Sequence, residues 1–220
     1  MTRLIPALVL VAALLPMTAS AQSFAGFDQC GYAWTDGLRL YFDASVETGC
    51  QGILMNPGYY AWSSTGSVAA YLVLTDASAP ALTGWQADLA IFGDGAVTGH
   101  AVLAVGAVDE GTGDTHLVSL PSPVPTSLHT VLAVWTLALQ PGNPQFGLDW
   151  GRMEFWLAPA AGRPEADPGY FDGDGAFHGC QSLNSAYHGW GTVPCMLLND
   201  GYGVTDAEAR SFGGLKALYR

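Results

Sequence analysis

Apolar and polar positions alternate along much of the chain with a period of two, the spacing of a strand with one buried face. Leu38, Leu40 and Phe42 alternate with Arg39 and Tyr41, and Trp85, Ala87, Leu89 and Ile91 alternate with Gln86, Asp88 and Ala90. Met153, Phe155 and Leu157 repeat the pattern beside Arg152 and Glu154. Apolar runs over 68–75, 97–108 and 129–139 also read as strands, and 115–120 as a short return strand. The stops are turn chemistry: Asp76-Ala-Ser, Phe92-Gly-Asp-Gly, Asp109-Glu-Gly-Thr-Gly as a hairpin tip, and Gln140-Pro-Gly-Asn-Pro. Pro121, Pro123 and Pro125 mark an extended loop. Gly or Pro interrupts almost every window of a dozen residues, so a helical period is nearly absent. Strands at this spacing predict an all-β fold of two packed antiparallel sheets, a β-sandwich of immunoglobulin-like or jelly-roll kind. Trp85 and Trp135, each inside an apolar strand, are expected in its core.

The two ends depart from this pattern. Residues 1–21 read as a secretory signal peptide: Arg3 supplies the positive charge, 4–15 the apolar stretch, and Ala19-Ser-Ala the small residues before cleavage at Gln22. The apolar run is shorter than the roughly 20 residues that span a bilayer, and no later stretch reaches that length. The expected organisation is one domain over 22–205, with a core at about 37–160, flanking segments 22–66 and 160–205, and a short basic tail over 206–220. The flanks read as loops and edge strands packed on the sandwich, and are expected close together in space.

Charge narrows the class. The 220 residues carry 7 Lys and Arg against 19 Asp and Glu, a net −12, and charged residues make up only 12%. That leaves too few cations to neutralise a phosphate backbone and excludes nucleic acid as a partner. A hydrophobic share of 50% excludes an acidic disordered chain. Arg210, Lys216 and Arg220 lie in the tail, so the body 22–209 holds only Arg39, Arg152 and Arg163 against all the acids. Cations, neutral glycans and basic protein surfaces are the partners such a surface suits.

Export changes how the four cysteines read. Cys30, Cys50, Cys180 and Cys195 are even in number and allow three pairings; Cys30–Cys50 and Cys180–Cys195 would each staple a Gly-rich, strand-poor flank. The other reading is a zinc site from His178, Cys180, His188 and Cys195, without a Cys-x-x-Cys knuckle.

Four further constellations bear on chemistry. Asp167, Asp172 and Asp174 stand in a Gly-rich loop, as calcium loops do, but the EF-hand spacing fails at its first and last positions. The alternative is a solvated Asp-Gly turn. Asp149 and Glu154 could form the carboxylate pair of a glycan hydrolase, but Glu154 shares a strand face with Arg152, which reads as an outward salt bridge. No nucleophile or metalloprotease motif accompanies the five histidines. Tyr59, Tyr60 and Trp62 in one loop, and Tyr170 and Trp190 in another, would suit stacking on the apolar face of a sugar; the alternative is a small satellite core.

The series Ala70-Tyr-Leu-Val-Leu-Thr-Asp, Thr83-Gly-Trp-Gln-Ala-Asp-Leu, His129-Thr-Val-Leu-Ala-Val-Trp-Thr-Leu-Ala-Leu and Arg152-Met-Glu-Phe-Trp-Leu resembles the strands of cohesin-like sandwiches of secreted bacterial proteins. That family is similar to certain carbohydrate-binding modules. The resemblance implies a non-catalytic sandwich, and the tail from Ser211 to Arg220 resembles the basic-aromatic ends of such proteins, which implies export or surface attachment. The expected function is therefore that of a secreted or cell-surface, non-catalytic β-sandwich that binds a glycan or protein partner or forms part of an envelope. The alternatives are a carboxylate-based glycan hydrolase and a calcium-stabilised structural subunit.

Overall fold

The computed structural model describes residues 35–42, 46–50, 59–63, 65–102, 104–142, 150–182 and 194–199; for 46–50 and 59–62 only the course of the strand is described. The expected signal segment, the tail and Cys30 lie outside these residues. Thirteen strands and no helix are seen among them: β1 Gly37–Phe42, β2 Val46–Cys50, β3 Tyr59–Ser63, β4 Ser67–Thr75, β5 Ala81–Gly93, β6 Gly95–Val102, β7 Val108–Asp109, β8 Thr115–Pro125, β9 His129–Leu139, β10 Met153–Ala158, β11 Gly169–Asp172, β12 Phe177–Gly179 and β13 Met196–Leu198. No described helix is long and apolar enough to cross a membrane.

The strands form two sheets. One has the order β1-β4-β9-β6, the other β12-β11-β5-β10-β13-β3-β2, with β8 added to β5 and β7 added to β8. All pairings are antiparallel except β3 with β13, which run parallel. The expected sandwich is thus formed. The flanks contribute more than edges: β13 fills an interior place between β10 and β3, and Gln181 bridges Gly37, so the two flanks do meet.

Burial follows the pattern of the sequence. β4 and β9 are the paired centre of the smaller sheet and turn Val68, Ala70, Leu72, Leu74, Trp135 and Leu137 inward. β5, β10 and β13 present Trp85, Leu89, Phe155, Leu157 and Met196 from the larger one. Phe42 and Phe155 meet edge to face at 5.6 Å, joining β1 of one sheet to β10 of the other. Only Asp94 separates β5 from β6, yet these strands belong to different sheets. Gly93 makes that corner possible with φ +128°, while the Asp94 N–H donates to the Arg152 carbonyl at 2.7 Å.

Two expectations are corrected here. The three prolines do not form a loop but continue β8 to Pro125, where it pairs with Ala81. At alternate positions their missing N–H groups fall on one side of the strand, which an outer strand tolerates. The register slips between Leu82 and Gly84, which absorbs the intervening residues as an irregularity.

The second correction concerns the cysteines. Cys180 and Cys195 are both buried free thiols. Cys180 follows β12 and Cys195 precedes β13, and no disulfide joins them. Of the zinc set drawn from His178, Cys180, His188 and Cys195, His188 lies outside the described residues, and the other three do not form a group of converging ligand atoms among them. Burial pushes both thiols up, Cys195 to about 12, so neither is a ready nucleophile. The Cys50 side chain lies outside the described residues.

Candidate functional site

Two polar clusters stand out among the described residues. The first ties the Asp36 turn to β11. Asp36 accepts three hydrogen bonds, from the Ser78 N–H at 2.7 Å, the Ser78 hydroxyl at 2.8 Å and the Tyr170 hydroxyl at 2.7 Å. The Ala79 N–H donates to the Tyr170 oxygen at 3.1 Å. His178 stacks on the Tyr170 ring at 4.9 Å, with Nε2 2.9 Å from Asp172 Oδ2 and Nδ1 3.3 Å from Ser78 Oγ.

Ser78, His178 and Asp172 are thus placed in line as in a hydrolytic triad. The surroundings do not serve that chemistry. The Ser78 hydroxyl proton is directed to Asp36, and the N–H groups of Ser78 and Ala79, which an oxyanion would need, already donate to Asp36 and Tyr170. This cluster is a clasp that fixes the β4–β5 turn against β11.

The clasp also reassigns several expected site residues. Tyr170 is fully buried and presents no ring face to a sugar. Asp172 uses Oδ1 to accept the N–H groups of Asp174 and Ala176, each at 2.9 Å, and Oδ2 to hold His178. It is the turn-making aspartate of the alternative reading. Among the described residues, Asp167, Asp172 and Asp174 do not form a group whose ligand atoms converge. Glu154 pairs with Arg152 at 2.7 Å and accepts from the Trp156 indole at 3.1 Å, the outward pair expected from strand geometry. Asp149, Trp190 and the side chains of Tyr59, Tyr60 and Trp62 lie outside the described residues.

The second cluster lies where the two sheets end side by side. His100 comes from β6, the outer strand of the smaller sheet; Asp109 and His116 come from β7 and β8 of the larger one. Their ligand-type atoms all lie within 4.8 Å of one another. The hairpin sets up half of this. Asp109 Oδ1 accepts the N–H groups of Gly111 and Leu117, both at 2.9 Å, which pins the tip and leaves Oδ2 to His116 Nδ1 at 2.7 Å. Register sets up the rest. His100 pairs with Trp135 across β6 and β9, so both side chains share a face, and the rings stack at 4.7 Å. His116 is buried, with ring centroids 5.7 Å from Trp85, 5.4 Å from Trp135 and 4.9 Å from His100.

The electrostatics are those of a site that disfavours two imidazolium ions. Burial, and then the charge of His116, press the His100 pKa below its ordinary value, against the pull of Asp109. Burial pushes the Asp109 carboxyl up, but hydrogen bonds from His116, Leu117 and Gly111 outweigh it and hold it below the ordinary carboxylate range. A carboxyl held low in the folded state contributes stability above its unfolded pKa of about 3.9, and loses that contribution as pH falls through the folded value. Asp172, held low by His178 and the Ala176 and Asp174 N–H groups, acts with the same sign. Melting temperature is therefore expected to fall as pH is lowered from about 5 to about 2, and Asp109→Asn to flatten part of that slope. An unchanged slope in the variant would assign the acid sensitivity elsewhere.

Sequence reading missed this cluster because its members come from three strands. One signal was present: the hairpin tip at 109–113 folds Asp109 back toward His116, which identifies two of the three. No family model, no curated protein and no solved structure matches the chain.

Proposed function

We propose that the chain is an exported, non-catalytic β-sandwich module that docks an extended segment of a protein partner along β6, as an extracellular or envelope component. One observation carries this reading. β6 ends the smaller sheet, and no described strand pairs with its outer side. Its sequence, Gly95-Ala-Val-Thr-Gly-His-Ala-Val102, contains no acid, Lys, Arg or Pro. Proteins normally block such an edge with those residues, and an unblocked one is a template for strand addition. Phe92, Val97, Val105 and Val108, four of the five large apolar side chains exposed among the described residues, fall in and around this strand. Acidity selects the partner: the body's three arginines against nineteen acids favour a segment that alternates apolar and basic residues.

Binding rather than turnover is supported by the use of the acid–base groups. Ser78, His178 and Asp172 belong to the clasp, and Glu154 is taken up by Arg152 and the Trp156 indole, as described above. Export rests on the composition of 1–21.

The test uses an alternating Val-Lys nonapeptide and its Val-Glu counterpart, titrated against the full chain by fluorescence anisotropy. The Val-Lys peptide is expected to bind and the Val-Glu peptide not. Val97→Lys, a charged block on an exposed edge position, should weaken binding at least about tenfold without lowering the melting temperature. Equal binding of the two peptides, full binding by the variant, or self-association of the chain through this edge would overturn the reading.

A further inference from the structure

We propose that His100, Asp109 and His116 hold one divalent transition-metal ion of the zinc and copper(II) class, clamping the two sheets together where they end. The site is independent of the docking edge proposed above, although His100 lies on the same strand.

The donor set is the first argument. Two imidazoles and one carboxylate suit zinc, copper(II) or nickel, whereas calcium asks for six to eight oxygens. The geometry is the second. Ligands about 2.0–2.2 Å from a tetrahedral ion stand about 3.4 Å apart. The three ligand-type atoms already lie within 4.8 Å of one another, so small side-chain movements close the site. Those movements fall to His100, the exposed member on an outer strand.

The third argument is orientation. The backbone N–H groups of Gly111 and Leu117 hold Asp109 Oδ1, which aims Oδ2 into the cluster. The His116 ring is fixed against Trp85 and Trp135. Metal sites rely on such outer contacts to fix their ligands.

A purely structural reading accounts for only part of this. The 2.7 Å contact between His116 and Asp109 would by itself pin the hairpin. It gives no reason for a second imidazole with its centroid 4.9 Å from the first, delivered from the other sheet and stacked on an indole. An ion shared by the three accounts for all of it. With three protein ligands, the fourth position is left to solvent on the His100 side.

The test uses the full chain without an affinity tag, stripped with chelator and with no peptide present. Equilibrium dialysis against zinc is expected to give one ion per chain, together with a rise in melting temperature. Copper(II) should quench the emission of Trp85 and Trp135 with saturation at one equivalent, and millimolar calcium should do neither. His100→Ala is expected to weaken zinc binding about tenfold or more and abolish the rise, read against the variant's own metal-free melting temperature because the ring also stacks on Trp135. Asp109→Asn is expected to weaken binding to a similar extent; if it fails to fold, His100→Ala decides. Absence of zinc uptake, or uptake with unchanged affinity in His100→Ala, would overturn the proposal. Because peptide docking is read separately through Val97→Lys, either proposal can fail alone.

Discussion

Phe155→Ala is expected to lower the unfolding free energy by about 3–5 kcal/mol, a large part of the 5–15 kcal/mol typical of a domain. Phe155 is fully buried in β10, between β5 and β13 in the larger sheet. Its ring meets Phe42 of the smaller sheet edge to face, so truncation leaves a void between the layers as well as losing the transfer energy of the ring. The neighbours cannot easily collapse into that void, because both strands beside β10 are fixed in register. Denaturant melts should show a lower midpoint with an unchanged slope. A loss below about 1 kcal/mol would mean that the layers close the gap, contrary to a tightly packed interior.

Gly93→Ala is the second large effect, expected at about 3–5 kcal/mol. Two independent penalties coincide there. The backbone has φ +128°, outside the range L-residues prefer, and a Cβ would stand 2.1 Å from the Arg152 carbonyl oxygen. That carbonyl accepts the Asp94 N–H, so the strand behind it cannot retreat without losing the corner. Gly113 is the control. It has φ +64°, but nothing lies within 4 Å of an added Cβ, so Gly113→Ala should cost only the conformational part, about 1–2 kcal/mol. Equal losses at the two positions would show that conformation, not contact, governs the corner.

These two residues also show what the sequence could and could not reveal. Phe155 lies in a strict alternation, Met153, Phe155 and Leu157, and its buried face follows from period two alone. Gly93 sits in Phe92-Gly-Asp-Gly, which marked a break; that the break carries the chain from one sheet to the other depends on partners remote in sequence. β9 was legible end to end because an apolar run is closed by Gln140-Pro. β8 was cut short because its prolines read as a loop, and only pairing with Ala81 and Leu82 reveals them as strand. The three-residue strands β12 and β13 are too short for any periodicity to declare itself. The metal-type cluster was half legible, since Asp109 and His116 face across a recognisable tip. His100 arrives from a strand whose alignment beside β9 is set by residues far along the chain. The staple expected between Cys180 and Cys195 is not formed, and spacing in the sequence alone could not decide it.

The parallel pairing of β3 with β13 places Met196 opposite Tyr59. During synthesis β3 can pair with β2 at once, but its other side stays open until residues 196–198 have been made, and β10 likewise has an open side until then. A closure between such distant partners is slow, because the intervening chain must be ordered before the contact is gained. The larger sheet can be completed only after residues 196–198 have been made, and until then its two open sides are the places where a chaperone would be needed and where misassembly would begin.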